Sequence, residues 1–463
     1  LEEAAVNTAP RPFTRLALWA AAALLAAACG KSAPTPASAP AAPAEKAAAA
    51  EKTGGSDKAA AVDPAAAASA AVAEEDQGPP RTVTIWHGYR DAEREALDNL
   101  VSHWNKNHPN LQISTLAVPP DAIIDKFQVA VPNGNGPDLI IFAHDKIGLW
   151  ARAGLIQPLG DFATPERLKR FMPQAVKPLV HDKAIYGLPM AYKTLVLFYN
   201  KAMVKEPPKS LTQLIEVAKG FTKPDADAFG LAYEASNLYF HAPILLGLGG
   251  AVYDDVAKKV MIDSPEAQKA MDIARDLYKT HKILPQGAVS GFALTAMFKD
   301  NKVPFVFQGP WFIGELTPEP GQKPVEWGVA LLPEVEPGKP MKPFLGSEAL
   351  LLSAKAPQAK SALRVIDFLT SDEAALTRIQ LGKQMVANVK TYEQPKWSDD
   401  PVVKVFRGQA EMSLPMPSSA EMSAVWNPYN AALQKGIYGE GKSVDVLGEA
   451  QKRAEEDIGK MAK

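Results

Sequence analysis

The sequence predicts an α/β protein, and three observations carry that reading. From Arg81 onward, short apolar runs alternate with segments whose apolar residues recur at helical spacing. Runs such as residues 139–142 (LIIF) are continuously apolar, as expected of parallel strands covered by helices on both faces. No single Pro- or Gly-rich linker divides the chain after residue 81, so the two α/β units described below read as lobes connected by several crossovers.

Residues 83–86 (VTIW) form the first expected strand. Asp91 is placed to cap the helix that follows, in which Leu97, Leu100, Val101 and Trp104 share a face. A second strand is expected at 111–116 and a second helix at 121–131, bringing Ile124, Phe127 and Val131 together before the 139–142 strand. This β-α-β-α-β order describes an open sheet, which takes ligands outside the carboxyl ends of its strands. Those ends are residues 86–90 and 143–146. The second unit starts with a strand at 194–199 and a helix from Ser210, with Gln213 three residues on as in a capping box. Ser264 and Pro265 open another helix, with Ala267, Met271, Ala274, Leu277 and Tyr278 on one face. A strand at 303–308 runs into the Gly309-Pro310-Trp311 turn, and 349–369 holds further strand and helix material.

Residues 1–28 read as a signal peptide: residues 16–28 are thirteen uncharged residues preceded by Arg11 and Arg15, a core too short to span a bilayer. Cys29 follows three alanines, the pattern of a lipid-attachment site, with Leu25 one place further away than is usual; ordinary cleavage is the alternative. Residues 30–80 hold 20 alanines, seven prolines and 11 charged residues, with Val62 and Val72 the only larger aliphatics. Such a stretch buries too little apolar surface to offset the entropy of ordering it. Residues 29–81 are therefore expected to form a disordered tether.

Several function classes are disfavoured. With 50 Lys and Arg against 52 Asp and Glu, the chain lacks the basic surplus of a nucleic-acid binder. One cysteine in 463 residues excludes an internal disulfide and a cysteine-based cluster. The seven histidines show no metal-ligand spacing, no cofactor motif is evident, and Ser347 lacks the nucleophile-elbow context. Gly436 to Ser443 satisfies the phosphate-loop expression, but helix-like sequence precedes it where a strand is required. Asp145, after an apolar strand, suits binding, acid-base work or a helix cap. The distinctive supply is aromatic, at strand ends and turns: Tyr89, Tyr192, Tyr239, Phe240, Trp311 and Trp426. Sugars stack their C–H faces on such rings and need hydroxyl partners beside them.

Residues 136–159 (GPDLIIFAHDKIGLWARAGLIQPL) resemble the maltose-binding type of extracellular solute-binding protein. Blocks at 186–201, 298–311, 327–346 and 421–433 agree in order, and the resemblance covers about residues 82–463. It implies a two-lobed periplasmic binding protein fold of type II, each lobe an open α/β sheet with flanking helices. Three crossovers are expected near Ala191, Pro333 and Val389. The N-terminal lobe would comprise 82–191 and 335–389, the C-terminal lobe 192–334 and 390–463. It further implies an exported, monomeric, non-catalytic subunit that closes on a neutral sugar and delivers it to an ABC importer permease, touching the membrane only through its lipid.

Matched position by position, Asp145 and Lys146 correspond to a hydroxyl-binding acid-base pair, with lysine where the familiar maltose binder has arginine. Tyr239, Trp311 and Trp426 correspond to stacking aromatics, and Phe142 occupies a tryptophan position. Lys193 and Asn237 stand at glutamate positions and Asn430 at an arginine position, which changes the hydrogen-bond pattern offered to the ligand. Tyr89 and Arg90 are expected at the cleft. Maltose or maltodextrin is the expected ligand, with another disaccharide or oligosaccharide as the alternative. A secreted glycoside-acting enzyme using Asp145, or a receptor presenting sugar to a sensor, are the competing readings.

Overall fold

The computed structural model describes residues 78–287, 289–318 and 321–461. Cys29, the expected signal segment and all but the last residues of the expected tether lie outside them. Strand β1 (Arg81–His87) takes in Arg81, assigned above to the tether, because that residue pairs with Leu111. Helix α1 (Asp91–Asn107), β2 (Leu111–Ala117), α2 (Pro120–Ala130) and β3 (Leu139–Ala143) follow, and β1 runs parallel to both β2 and β3. Alternate strand residues point to opposite faces. Val83, Ile85, Leu139 and Ile141 therefore join Leu97, Leu100 and Trp104 in one core layer. Trp86 and Ile140 join Ile123, Phe127 and Trp150 in the other. Full burial of one such large apolar side chain contributes about 1.5–3 kcal/mol.

Two local expectations shift. Asp91 is the first residue of α1, with a φ of 44°, and the cap position belongs to Arg90, which makes no side-chain cap bond. On α2 the buried stripe is Ile123, Phe127 and Val131, an i, i+4, i+8 row, and Ile124 sits at its edge.

A turn at His144–Lys146 leads into α3 (Ile147–Arg152), the short β4 (Ile156–Gln157) and β5 (Gly187–Lys193). The chain then enters a second sheet at β6 (Val196–Asn200). Helices α4 (Leu211–Phe221), α5 (Leu238–Gly247), α6 (Pro265–Lys279) and α7 (Gly291–Lys299) precede β7 (Phe305–Gln308), and α8 (Trp311–Glu315) precedes β8 (Trp327–Ala330). Ser210 and Ser264 cap α4 and α6 by accepting from the Gln213 and Ala267 amides. Strand β6 lies between β7 and β8 and is antiparallel to both.

Strand β9 (Phe344–Ser353) returns to the first sheet, antiparallel to β3, β4 and β5. Helices α9 (Ala359–Leu369) and α10 (Asp372–Gln380) contribute Ala362, Val365, Ile366, Leu369 and Ala374 to its core. Helix α11 (Pro401–Met412) packs Val403 and Phe406 against the second sheet. Strand β10 (Leu414–Pro415) runs parallel to the start of β9. Helices α12 (Ser423–Leu433) and α13 (Ser443–Met461) complete the second core. The main passages between the sheets thus fall after β5, after β8 and after α10, and the two residues of β10 reach back once more to the edge of the first sheet.

The Gly436–Ser443 motif sits at the turn from α12 to α13. Arg275 donates to the carbonyls of Gly436 and Gly441, at 2.6 and 2.8 Å. The turn therefore offers oxygens to a cation, where a phosphate loop offers amides to an anion. Among the described residues no helix is long and apolar enough to cross a membrane.

His87 and His241 are both buried. Burial pushes the His87 pKa down to about 4 and the His241 pKa down to about 3, so both rings stay neutral in the fold. An unfolded chain protonates them near pH 6.5, and each costs stability as the pH falls below that value, by up to about 1.4 kcal/mol per pH unit. Urea denaturation at pH 7 and pH 5 checks this: a His241→Leu variant should lose about 2 kcal/mol less than the wild type over that interval.

Candidate functional site

Register decides which chain segments meet. Strand β9 sets Glu348 opposite Ala143 of β3 and Ala191 of β5, Ser347 opposite Tyr192, and Gly346 opposite Lys193. The ends of β3 and β5 and the start of β9 therefore share one edge, facing α5, α8 and α12 of the second lobe. A cavity of about 230 Å³ lies between, lined by Asp145, Lys193, Ser347 and Glu348 from the first sheet's side and by Tyr239, Trp311, Met416 and Trp426 from the other.

The aromatic wall is built from helix starts and a turn. The Trp311 indole donates to Gln308 Oε1 at 2.9 Å and lies 6.3 Å from the Tyr239 ring. Gly309 is required here, since a Cβ at that position would stand 2.2 Å from the Trp311 ring. The buried Trp426 Nε1 has no protein partner. Asn237 Oδ1 accepts from the Tyr239 amide and Asn430 Oδ1 from the Leu238 amide, at 3.0 and 2.7 Å. These two asparagines, expected at the ligand, instead fix the start of α5, which aims Tyr239, and neither lines the cavity. Phe142 is also absent from the lining; its ring packs against Trp150 at 5.1 Å.

Charge is concentrated on the opposite wall. Lys193 Nζ lies 3.2 Å from Glu93 and 3.0 Å from Glu348. Tyr89, buried rather than exposed to the cleft, donates its hydroxyl to Glu348 at 2.6 Å. Gln384 donates to Glu93 at 3.3 Å. Burial opposes the Lys193 ammonium, yet Glu348 and Glu93 outweigh it and raise its pKa. Burial and the neighbouring Glu348 raise the Glu93 pKa despite Lys193. Arg378, wholly buried, supplies a second positive charge that interacts with Tyr89 and Glu348. Beside this cluster, Asp145 and Lys146 form a 2.8 Å ion pair, and the Lys146 ammonium lies 5.7 Å from the Trp426 ring.

The lobes touch at both flanks of the cavity. On one, Arg90 pairs with Glu315 at 3.1 Å and lies 5.0 Å from the Phe292 ring. On the other, Arg152 pairs with Glu421 at 2.6 Å, and the Gly148 amide donates to Ser418 at 3.0 Å. A Cβ on Gly148 would stand 2.4 Å from that carbonyl, so only glycine permits the approach. A wider groove of about 820 Å³ opens beyond the Arg90 flank, lined by Asp91, Glu95, Phe292 and Lys299 among others. It offers one aromatic ring where the smaller cavity offers three.

The structure brings Asp145, Lys193, Tyr239, Trp311 and Trp426 together around one space, with Lys146 beside them and Arg90 at the rim. Glu93 and Met416 stand in no local pattern that marks them in the sequence, and Ser347 reads there only as a nucleophile without its elbow. Glu348 carried a usable signal: a lone charge inside the apolar run FLGSEALLLS must find a partner when buried.

Residues 90–376 match the family model described as bacterial extracellular solute-binding protein. The chain is 28% identical over 385 residues to the maltotriose-binding protein of Pyrococcus abyssi (strain GE5 / Orsay), covering 82% of each. It is 25% identical over 388 residues to the galactooligosaccharide-binding protein of Bacillus subtilis (strain 168), covering 81% of this chain and 89% of that one. Its fold matches the Thermus thermophilus maltotriose-binding protein bound with maltotriose at a TM-score of 0.74 and 26% identity, covering 81% of this chain and 100% of that one.

Removing the cation of the buried cluster leaves two carboxylates facing each other. Lys193→Met should therefore lose about 3 kcal/mol of stability at pH 7. The gap to wild type should narrow at pH 5, where a carboxylate takes up a proton; chemical denaturation at the two pH values measures both effects.

Proposed function

Because this chain belongs to the bacterial extracellular solute-binding protein family, a family of transport components rather than enzymes, we propose that it is the sugar-binding subunit of an ABC importer. The ligand we propose is a maltotriose-class glucose oligosaccharide. One observation carries this: three aromatic faces, Tyr239, Trp311 and Trp426, stand across a single cavity from Asp145, Lys193 and Glu348. Pyranose rings present apolar C–H faces to such rings and hydroxyls to fixed ionic partners, and that division of labour suits a neutral polyol. A formal charge of −2 over 463 residues is in keeping, since a neutral ligand gains nothing from electrostatic steering.

The maltotriose named for two of the similar proteins supports this choice. The galactooligosaccharide named for a third favours a second reading, in which the same cavity takes a galactose-containing chain. In either case Asp145, Lys146 and Lys193 hold hydroxyls, the three aromatics stack on the rings, Tyr89 braces Glu348, and Arg90 acts at the rim. The lobes are assigned to 81–191 with 335–389, Arg81 being counted because it opens β1, and to 192–334 with 390–463. They close on the sugar by a hinge motion in which the ligand stabilises the closed state by touching both. The mature protein is a monomer on the outer side of a membrane, held there by a lipid on Cys29, and it hands the sugar to its permease.

Calorimetry with maltose, maltotriose, trehalose and a galactooligosaccharide tests the assignment. Maltotriose should bind most tightly, and Asp145→Ala and Trp311→Ala should each weaken it at least tenfold, about 1.4 kcal/mol. Wild-type affinity in both variants, or steady release of reducing sugar, would sink the reading.

A further inference from the structure

His144 stands directly behind the cavity wall and does not line it. Its ring is fully buried, and each nitrogen holds a different piece of chain. Nδ1 accepts from the Ser347 amide at 3.0 Å. Nε2 lies 2.8 Å from the Met416 carbonyl. A carbonyl only accepts, so Nε2 carries the proton and the ring is the neutral Nε2–H tautomer. Burial lowers the His144 pKa, which keeps Nδ1 free to accept.

The two anchored groups are parts of the cavity. Ser347 and Met416 both line it, and so does Asp145, the next residue along the chain. Ser347 belongs to β9 of the first sheet, whereas Met416 lies on the segment that runs from α11 to α12 and leads to Trp426. The Ser347 hydroxyl is already engaged with the Ala175 carbonyl at 2.7 Å. The amide of that residue thus relies on the imidazole, and a buried amide or carbonyl left unpaired is costly.

We propose that His144 is the positioning residue of the sugar cavity, its rigid ring setting the Ser347 and Met416 walls and the Asp145 carboxylate at fixed spacing before ligand arrives. The proposal rests on the reading of the cavity as a maltotriose site. A flat ring with an acceptor and a donor on different edges meets both demands at once, which an apolar residue of equal size does not.

The test compares wild type with His144→Phe, which keeps the ring and loses both bonds, and His144→Gln, whose amide restores a donor near the Nε2 position. Maltotriose affinity is measured by calorimetry and folded fraction by circular dichroism, with Trp426 emission recorded without sugar. His144→Phe should bind at least tenfold more weakly per folded molecule and shift Trp426 emission, and His144→Gln should recover at least threefold of that loss. Wild-type affinity in the folded phenylalanine variant, or a glutamine variant no better than it, overturns the proposal. If the phenylalanine variant does not fold, His144→Asn takes its place: it keeps an acceptor near Nδ1, but its shorter amide places no donor at the Nε2 position that meets the Met416 carbonyl, and binding as tight as wild type overturns the proposal. Maltotriose binding by neither wild type nor variants would instead remove the maltotriose reading, and the proposal with it.

Discussion

The antiparallel insertion of β9 between β3 and β5 is the constraint on which the rest depends. A strand far along the chain becomes the common partner of β3, β4, β5 and β10, and its register alone decides that Lys193, Glu348 and the turn after β3 share an edge. A slip of one residue would exchange the faces of every β9 side chain. Glu348 would then leave Lys193 and Tyr89, and Leu350 would change core layers. Packing forbids this, because Leu350 and Leu352 fit one layer and Ala349 and Leu351 the other. The hydrophobic cores therefore hold the polar site in register.

Electrostatics in the cavity follow from that geometry. Glu93 and Glu348 face Lys193, with Arg378 behind, so two negative and two positive charges share a buried region. None of these groups is affordable alone in a medium that solvates ions poorly. Together they hold an ammonium beside the rings of Trp311 and Tyr89, at 5.7 and 5.6 Å. The same principle in smaller form joins Asp145 to Lys146 next to Trp426.

Much of this was legible in the chain. Short apolar runs and helical spacing located β1, α1, β2, α2 and β3, and the serine caps marked the starts of α4 and α6, because local rules decide such elements. The antiparallel order of the second sheet was not legible, since short apolar runs do not state their direction. Helix α5 (LYFHAPILLG) was missed because it is apolar on every side and contains Pro243, which leaves no periodicity to read. In the site, the resemblance and the turn-placed tryptophans pointed to residues that the structure gathers along one wall of a single cavity. The roles of Asn237 and Asn430 escaped notice because a cap looks the same in sequence as a ligand contact. The Glu348–Lys193 pairing escaped because 155 positions separate its members.

The passages between the sheets also govern the order in which the protein is assembled. The first sheet begins at Arg81 but gains its central strand only when Phe344–Ser353 has been made, and the second lacks α13 until the last residues. During synthesis neither half has its full set of partners, so the nascent chain stays without a finished core for most of its length. In a member of the extracellular solute-binding protein family, this topology makes the last-made strands and helices, rather than the first, the ones that close both cores.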